Sequence, residues 1–172
     1  MTPSQSLVQP ALRPAEPADR ALIHRWLRNP EVSRWWGNEA SAAAEIGIAL
    51  ESSSAICRII EAEGLPVGYA QAADLGSFPS PHVAAVPPGT WTCHVFIGSE
   101  NHRGRGAGQA ALDLLVGELF ASTLAVACRI VVPVRNERAA RAYESVGFRW
   151  VAVAEDPIHG ASWVMLRERP RR

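Results

Sequence analysis

In the stretch HVFIGSENHRGRGAGQAALDLL, His94 to Leu115, an apolar run gives way to a loop carrying Gly104, Gly106 and Gly108 with Arg103 and Arg105 among them, and then to a segment with helical spacing. A strand that passes to a helix through glycines leaves the first helical N–H groups unpaired, with the positive end of the helix dipole behind them. Such a junction binds anions, phosphate or pyrophosphate above all, because each missing Cβ lets the ligand reach the main chain while the arginines add charge. The triphosphate-binding loop needs Gly-Lys-Ser/Thr, but Gln109 follows Gly108 and the chain has no lysine, so that chemistry is excluded. A dinucleotide fingerprint can be drawn as Gly106-x-Gly108-x-x-Ala111. The acidic residue it requires about twenty positions later is missing from RIVVPVRN, and its glycines begin too far beyond the strand.

The pattern Arg103-x-x-Gly106-x-Gly108 between a strand and an amphipathic helix is followed downstream by Asn136-Glu-Arg-Ala139-Ala-Arg-Ala-Tyr143 and ESVGF. Together they resemble the two linked signatures of the GNAT superfamily of N-acetyltransferases, and the resemblance is most specific from Thr90 to Phe148. It implies an α/β (α+β) GNAT fold with a mixed central sheet of about seven strands flanked by about four helices. Residues 90–150 would be its acyl-CoA-binding core. The co-substrate implied is acetyl-CoA or another acyl-CoA, with no metal. Main-chain groups of Arg105, Gly106, Ala107 and Gly108 would hold its pyrophosphate, in a loop that includes Arg103 and Gly104. Phe96, Ile97 and Gly98 would pair with the pantetheine arm like an added strand, Asn136 and Ala139 would touch the cofactor, and Tyr143 would protonate the departing thiolate.

Making an amide from a thioester requires a neutral amine, close approach, stabilisation of the oxyanion and a proton for the sulfur. A positioned base is typically worth roughly 10²–10⁴ in rate. His94, alone among apolar neighbours in the strand that leads to the glycine loop, is the candidate; an unperturbed histidine, with a pKa near 6.5, is mostly neutral at pH 7. A core histidine bonded to a carbonyl is the competing reading. Tyr143 shares a helix face with Ala139 and Val146, so plain packing competes with its proton-donor role. His24, His82, His102 and His159 read as surface or structural residues, and their spacing offers no metal site.

For the acceptor, EVSRWWGNE, GYAQAADLG and the glycine loop resemble the aminoglycoside 6'-N-acetyltransferases, where a tryptophan pair like Trp35 and Trp36 helps form the antibiotic site. RWLRNPEVSRWWG with CHVFIG also resembles the siderophore-biosynthesis acyltransferases, which act on an N-hydroxylated lysine side chain and carry a histidine at the place of His94. His94 stands where the aminoglycoside enzymes keep an aspartate, and IVVPV stands where both branches carry acids. A polycationic acceptor calls for carboxylates. The contributors expected are Asp74 and Glu100, with Glu39, Glu155 and Asp156 behind them. A small-molecule amine is the expected partner. A peptide N-terminus, or a sensor that binds acyl-CoA without turning it over, are further alternatives.

The elements that must position these groups follow from periodicity. After a loosely ordered lead-in over 1–12, LRPAEPAD ends a strand, with Asp19 as a candidate N-cap. RALIHRWLRN reads as a helix ended by Pro30, and a second helix covers about 41–50. Two strands turn at Gly64 and Pro66, and a loop follows over about 76–89. Then come the strand TWTCHVFIG, a helix from Gly108, the buried strand CRIVVPV, a helix stopped by Gly147 and two closing strands. The order β-α-α-β-β-β-α-β-α-β-β excludes a purely parallel sheet. With 172 residues the chain suits one domain, 1–172.

Seventeen basic residues, all arginine, balance 17 acidic ones, so no bulk attraction to nucleic acid or an anionic membrane is expected. Cys57, Cys93 and Cys128 lie far apart and read as reduced core residues of a cytoplasmic protein. No apolar run is long enough for a signal peptide or a membrane span. A homodimer through the C-terminal strands is compatible with the pattern.

Overall fold

A computed structural model describes residues 7–78, 80 and 86–171. Among them, strands β1 (Ala11–Pro14), β2 (Ala55–Ala62), β3 (Leu65–Asp74), β4 (Thr90–Ile97), β5 (Ala127–Pro133), β6 (Arg149–Asp156) and β7 (Gly160–Glu168) form one sheet in the order β1-β2-β3-β4-β5-β7-β6. Helices α1 (Arg20–Leu27), α2 (Pro30–Trp36) and α3 (Glu39–Leu50) pack on one face, and α4 (Ala107–Ser122) and α5 (Glu137–Ser145) on the other. Strand alternation sorts the two cores. Trp91, Cys93, Val95 and Ile97 of β4 join the α4 cluster, while Phe96 joins Tyr69, Ile59 and Trp26 on the opposite side. Helix α4 supplies Ala111, Leu112, Leu115, Val116 and Leu119, all fully buried, which is what lets a helix this apolar sit against a sheet.

Every strand pair is antiparallel except β4 with β5, which α4 connects as a crossover. That pair is short: Thr90, Trp91 and Thr92 face Ala127, Cys128 and Arg129, and beyond them the strands part. β4 stays with β3 as far as Ile97 opposite Gly68, and β5 stays with β7 as far as Pro133 opposite Ser162. The N–H groups of Gly98 and Ser99 both donate to the carbonyl of Val67, at 2.8 and 3.0 Å, which ties the end of β4 to β3. Gly98 itself has no room for a side chain, since a Cβ there would come within 2.1 Å of the Trp26 ring. This fork in the middle of the sheet positions the cleft and its lining.

The sheet matches the expected count of strands, and the helices depart from it at Pro30. Instead of ending a helix, Pro30 begins one. Proline is preorganised for the first helical position, and Asn29 caps the turn by accepting from Glu31 N–H at 3.0 Å. The fifth helix that results carries Trp35 and Trp36. Asp19 precedes α1 but does not cap it with its side chain. The carboxylate accepts from Glu16 N–H and from both Nη atoms of Arg13, all at 2.8 Å. The lead-in is not loose from residue 7 onward: Val8 is buried in the core and donates its N–H to the carbonyl of Arg105 at 3.3 Å. Residues 1–6 lie outside the described residues. The cysteines are not all reduced either. Cys93 and Cys128 are joined by a disulfide at the point where β4 and β5 part, because the parallel register brings their Cα atoms to 6.4 Å, whereas Cys57 is free and buried.

Candidate active site

The fork opens into a cleft of about 1170 Å³. One end is made by the loop before α4. Gly104 and Gly106 have φ of +70° and +80°, the region that L side chains avoid. A Cβ on Gly104 would meet Arg138 Nη2 at 2.6 Å. Gly106 is the N-cap of α4 and no side chain caps the helix. Ala110 N–H is the donor that returns to the Gly106 carbonyl, at 3.1 Å, so the N–H groups of Ala107, Gly108 and Gln109 at the cleft wall have no partner within the helix. Arg105, Arg138 and Arg141 add positive charge around that end. Arg103 also lines the cleft, but its Nε and Nη2 donate to the carbonyls of Ile97 and Gly98 at 2.9 and 2.8 Å, so its guanidinium braces the loop. An oxyanion group at this end would meet main-chain donors, a helix dipole and arginines together.

In the middle stand Asn136, Ala139 and Tyr143 on one side and His94 to Ile97 on the other. Asn136 is the N-cap of α5, its Oδ1 accepting from Ala139 N–H at 3.3 Å. Tyr143 is half-buried, its ring 6.3 Å from that of Phe148, and its hydroxyl makes no hydrogen bond with the described residues. Burial pushes its pKa up to about 12, so it keeps its proton at neutral pH and can donate it. His94 is also half-buried and makes no hydrogen bond with the described residues, so the reading as a carbonyl-bonded core histidine does not hold. Its ring meets that of Trp36 nearly edge-on at 5.2 Å. Burial first, and the positive charge of Arg129 second, lower its pKa to about 4. At neutral pH it is an uncharged hydrogen-bond acceptor.

The far end is lined by side chains from many elements. Trp36 of α2 packs against Phe96 and Tyr69 at 5.1 and 6.4 Å. Trp35 lies under the guanidiniums of Arg34 and Arg135, 4.9 and 5.6 Å from its centroid, and beside the His159 ring at 6.4 Å. His159 Nε2 donates to the Trp35 carbonyl at 3.0 Å, which leaves Nδ1 to accept from Arg135 Nη2 at 3.3 Å. Asp156 accepts from the N–H groups of Ile158 and His159, each at 2.8 Å. On the floor, Gln71 Oε1 accepts from the hydroxyl of Tyr69 buried behind it, at 2.8 Å, and Arg129 of β5 donates from Nη2 to Thr92 Oγ1 at 3.3 Å.

The structure thus gathers the expected His94, Tyr143, Phe96, Ile97, Arg103–Gly108, Asn136, Ala139, Trp35 and Trp36 around one cavity. Five expected residues do not line it. Gly98 is buried behind Trp26, away from the cleft. Asp74 ends β3 and closes its own turn, accepting from Gly76 N–H and from Ser77 Oγ at 3.0 and 3.3 Å. Glu100 is exposed in the short turn after β4. Neither acid lines the cavity, and nor do Glu39 and Glu155. The carboxylates that do are Glu31, Glu45 and Asp156, of which only Asp156 was anticipated. His159 is part of the wall, and Arg129, Gln71 and Ser162 were missed. His82 lies outside the described residues.

The family model for the acetyltransferase (GNAT) domain matches residues 16–155. An aminoglycoside N(6')-acetyltransferase type 1 of Serratia marcescens is 27% identical over 166 residues, covering 90% of this chain and 83% of the relative. A protein of the same name from Klebsiella pneumoniae is 27% identical over 138 residues, covering 76% of this chain and 69% of its own. Among solved structures, AAC(6')-Ib in complex with paromomycin and acetyl-CoA superposes with a TM-score of 0.80 at 24% identity over 94% of each chain. A spermidine N-acetyltransferase of Vibrio cholerae with CoA and spermine superposes with a TM-score of 0.73 at 16% identity over 93% of this chain and 95% of the other.

Proposed function

The chain belongs to the GNAT acetyltransferase family, and on that basis we propose that it moves an acetyl group from acetyl-CoA to a primary amine of a small molecule. The observation that carries the reading is the uncapped start of α4 opening into the fork between β4 and β5, with Tyr143 and His94 facing the same cavity. Ala107, Gly108 and Gln109 N–H groups, with Arg105 and Arg138, bind the pyrophosphate. The acyl arm enters the fork alongside Phe96 and Ile97, and Asn136 and Ala139 flank it.

The amine nitrogen attacks the thioester carbonyl, the C–S bond breaks, the nitrogen loses one proton and the sulfur gains one, giving an amide and free CoA. Tyr143, held protonated, supplies the proton to the sulfur. His94 accepts the proton that the nitrogen sheds as the tetrahedral adduct forms, when that proton has become acidic. With a pKa of about 4 it does not strip a free alkylammonium ion efficiently, so the acceptor binds as the neutral amine. We read the chain as one catalytic domain. The relatives are aminoglycoside acetyltransferases, and Glu31, Glu45 and Asp156 around the cleft suit an acceptor that carries a second, charged amine beside the neutral one that reacts. N-hydroxylysine is the second reading, supported by the histidine at position 94.

Thermal unfolding with acetyl-CoA, longer acyl-CoAs and NAD in parallel, followed by thiol release against a panel of amines, tests the proposal. Stabilisation by CoA esters with release of free thiol is the expected result. Stabilisation by NAD alone would overturn it.

A further inference from the structure

Arg129 is 5% exposed, yet it lines the cleft. It stands on β5 opposite Thr92, at the last closed rung before the strands part, and its hydrogen bond is the 3.3 Å contact from Nη2 to Thr92 Oγ1. Its Nε is fully buried without a partner. No ion pair reaches it among the described residues, and the residues outside that set contain neither Asp nor Glu. Of the cleft's carboxylates, Asp156 accepts from its own turn and Glu31 lies 4.0 Å from Arg34, and neither these nor Glu45 is ion-paired with Arg129. Burial lowers the pKa of Arg129 only to about 10, so the charge remains at neutral pH.

A buried guanidinium with nothing to neutralise it is costly to keep, and an isosteric apolar residue in its place is commonly neutral or stabilising. Such a group is retained where a ligand completes it. Resting on the acetyltransferase reading above, we infer that the acceptor carries a carboxylate that pairs with Arg129, so that the substrate is a small amino acid-type molecule and not a polycation. With Nε sealed from the cleft and one N–H of Nη2 given to Thr92, the two Nη groups are left to meet a carboxylate two-to-two, which a lysine could not do. Two residues along β4 from Thr92 is roughly 7 Å. That puts His94 at the distance of an amine separated from its carboxylate by a short chain. Trp36, its ring 5.2 Å from that of His94, flanks the apolar part of that chain, and Glu31, Glu45 and Asp156 elsewhere on the cleft wall leave room for a second ammonium.

The test uses matched amines that differ in the carboxylate alone: lysine against cadaverine, and β-alanine against ethylamine, with 2-aminoethylphosphonate and kanamycin as further arms. Unfolding temperature with bound CoA and kcat/KM with acetyl-CoA are both measured, on the wild-type chain and on Arg129→Met. The expected result is a preference of at least about 10-fold for a carboxylate-bearing member, equal to about 1.4 kcal/mol, which shrinks in Arg129→Met. That variant alone should unfold at a higher temperature than the wild type, which a merely structural arginine would not give. Equal response to both members of each pair, a preference that survives Arg129→Met, or a preference for kanamycin would overturn the inference. So would a phosphonate better than its carboxylate counterpart. Failure of acetyl-CoA to stabilise the chain would strike the acetyltransferase reading itself, and the thermal shifts with carboxylates, which need no turnover, would still report on Arg129.

Discussion

At the α4 end of the cleft the consecutive residues Ala107, Gly108 and Gln109 offer main-chain N–H groups that the helix leaves unpaired, with arginine side chains around them. At the α2 end the lining consists of side chains, from Trp35 and Trp36 on α2, His94 on β4, Arg129 on β5, and Asp156 and His159 where β6 turns into β7. A site made of backbone is indifferent to most substitutions and fails where a Cβ intrudes or a positive φ is denied. A site made of side chains changes its ligand with each replacement while the fold persists. One end is therefore suited to a ligand common to many proteins, and the other to a ligand peculiar to this one.

Breaking the first half should have the largest effect. Gly106→Val forces a β-branched residue into the left-handed region at φ +80°, with its Cβ 3.3 Å from Leu7. It should lower acetyl-CoA affinity on the order of 100-fold by displacing the free N–H groups, measured by calorimetry; an affinity within a few-fold of wild type would show that the helix start is not the anion site. Next, Tyr143→Phe should cut kcat by roughly 10–100-fold with little change in acetyl-CoA affinity. Unchanged turnover would strip the tyrosine of its role.

His94→Gln should cost about 10-fold in kcat with the best acceptor, and it should change the pH dependence of stability. Because the pKa in the folded chain is depressed to about 4, the neutral form that accepts a proton persists through pH 5–8. On His94's account, kcat should not fall near pH 6.5. Stability should instead decline as pH drops from about 6.5 toward 4, since the unfolded chain binds that proton first. His94→Gln should flatten that decline, and an equal slope in both proteins would show that the ring is not held neutral by its surroundings. The smallest effect is expected at Trp35→Ala: a several-fold rise in acceptor KM with acetyl-CoA KM unchanged, the ring being half-exposed and one wall among several. A matching loss at acetyl-CoA would blur the division between the two ends.

The same division explains what could be read in advance. The glycine loop is contiguous, so its residue types and spacing announce a helix start with unpaired N–H groups before any fold is known. Trp35, Trp36 and Tyr143 stood out by type and by motif. Asp74 and Glu100 misled because their directions are set by where β3 and β4 end, which no local pattern records. Glu31 came into view only with α2, the helix that Pro30 starts. Arg129 did leave a signal, a single charge inside the otherwise apolar CRIVVPV, and its meaning depends on β5 parting from β4 one rung later. The disulfide is likewise a matter of register between strands that are 35 positions apart in sequence.

That bond also has a mechanical sense. A sheet that admits a guest between two of its strands resembles a plank split by a wedge, in which the load concentrates at the tip of the crack. Here the tip is the rung of Thr92 and Arg129, and only two further rungs lie behind it. The covalent tie from Cys93 to Cys128 crosses the split at that tip. It acts as a rivet, so that a guest entering as proposed would load this bond before it could open a further rung.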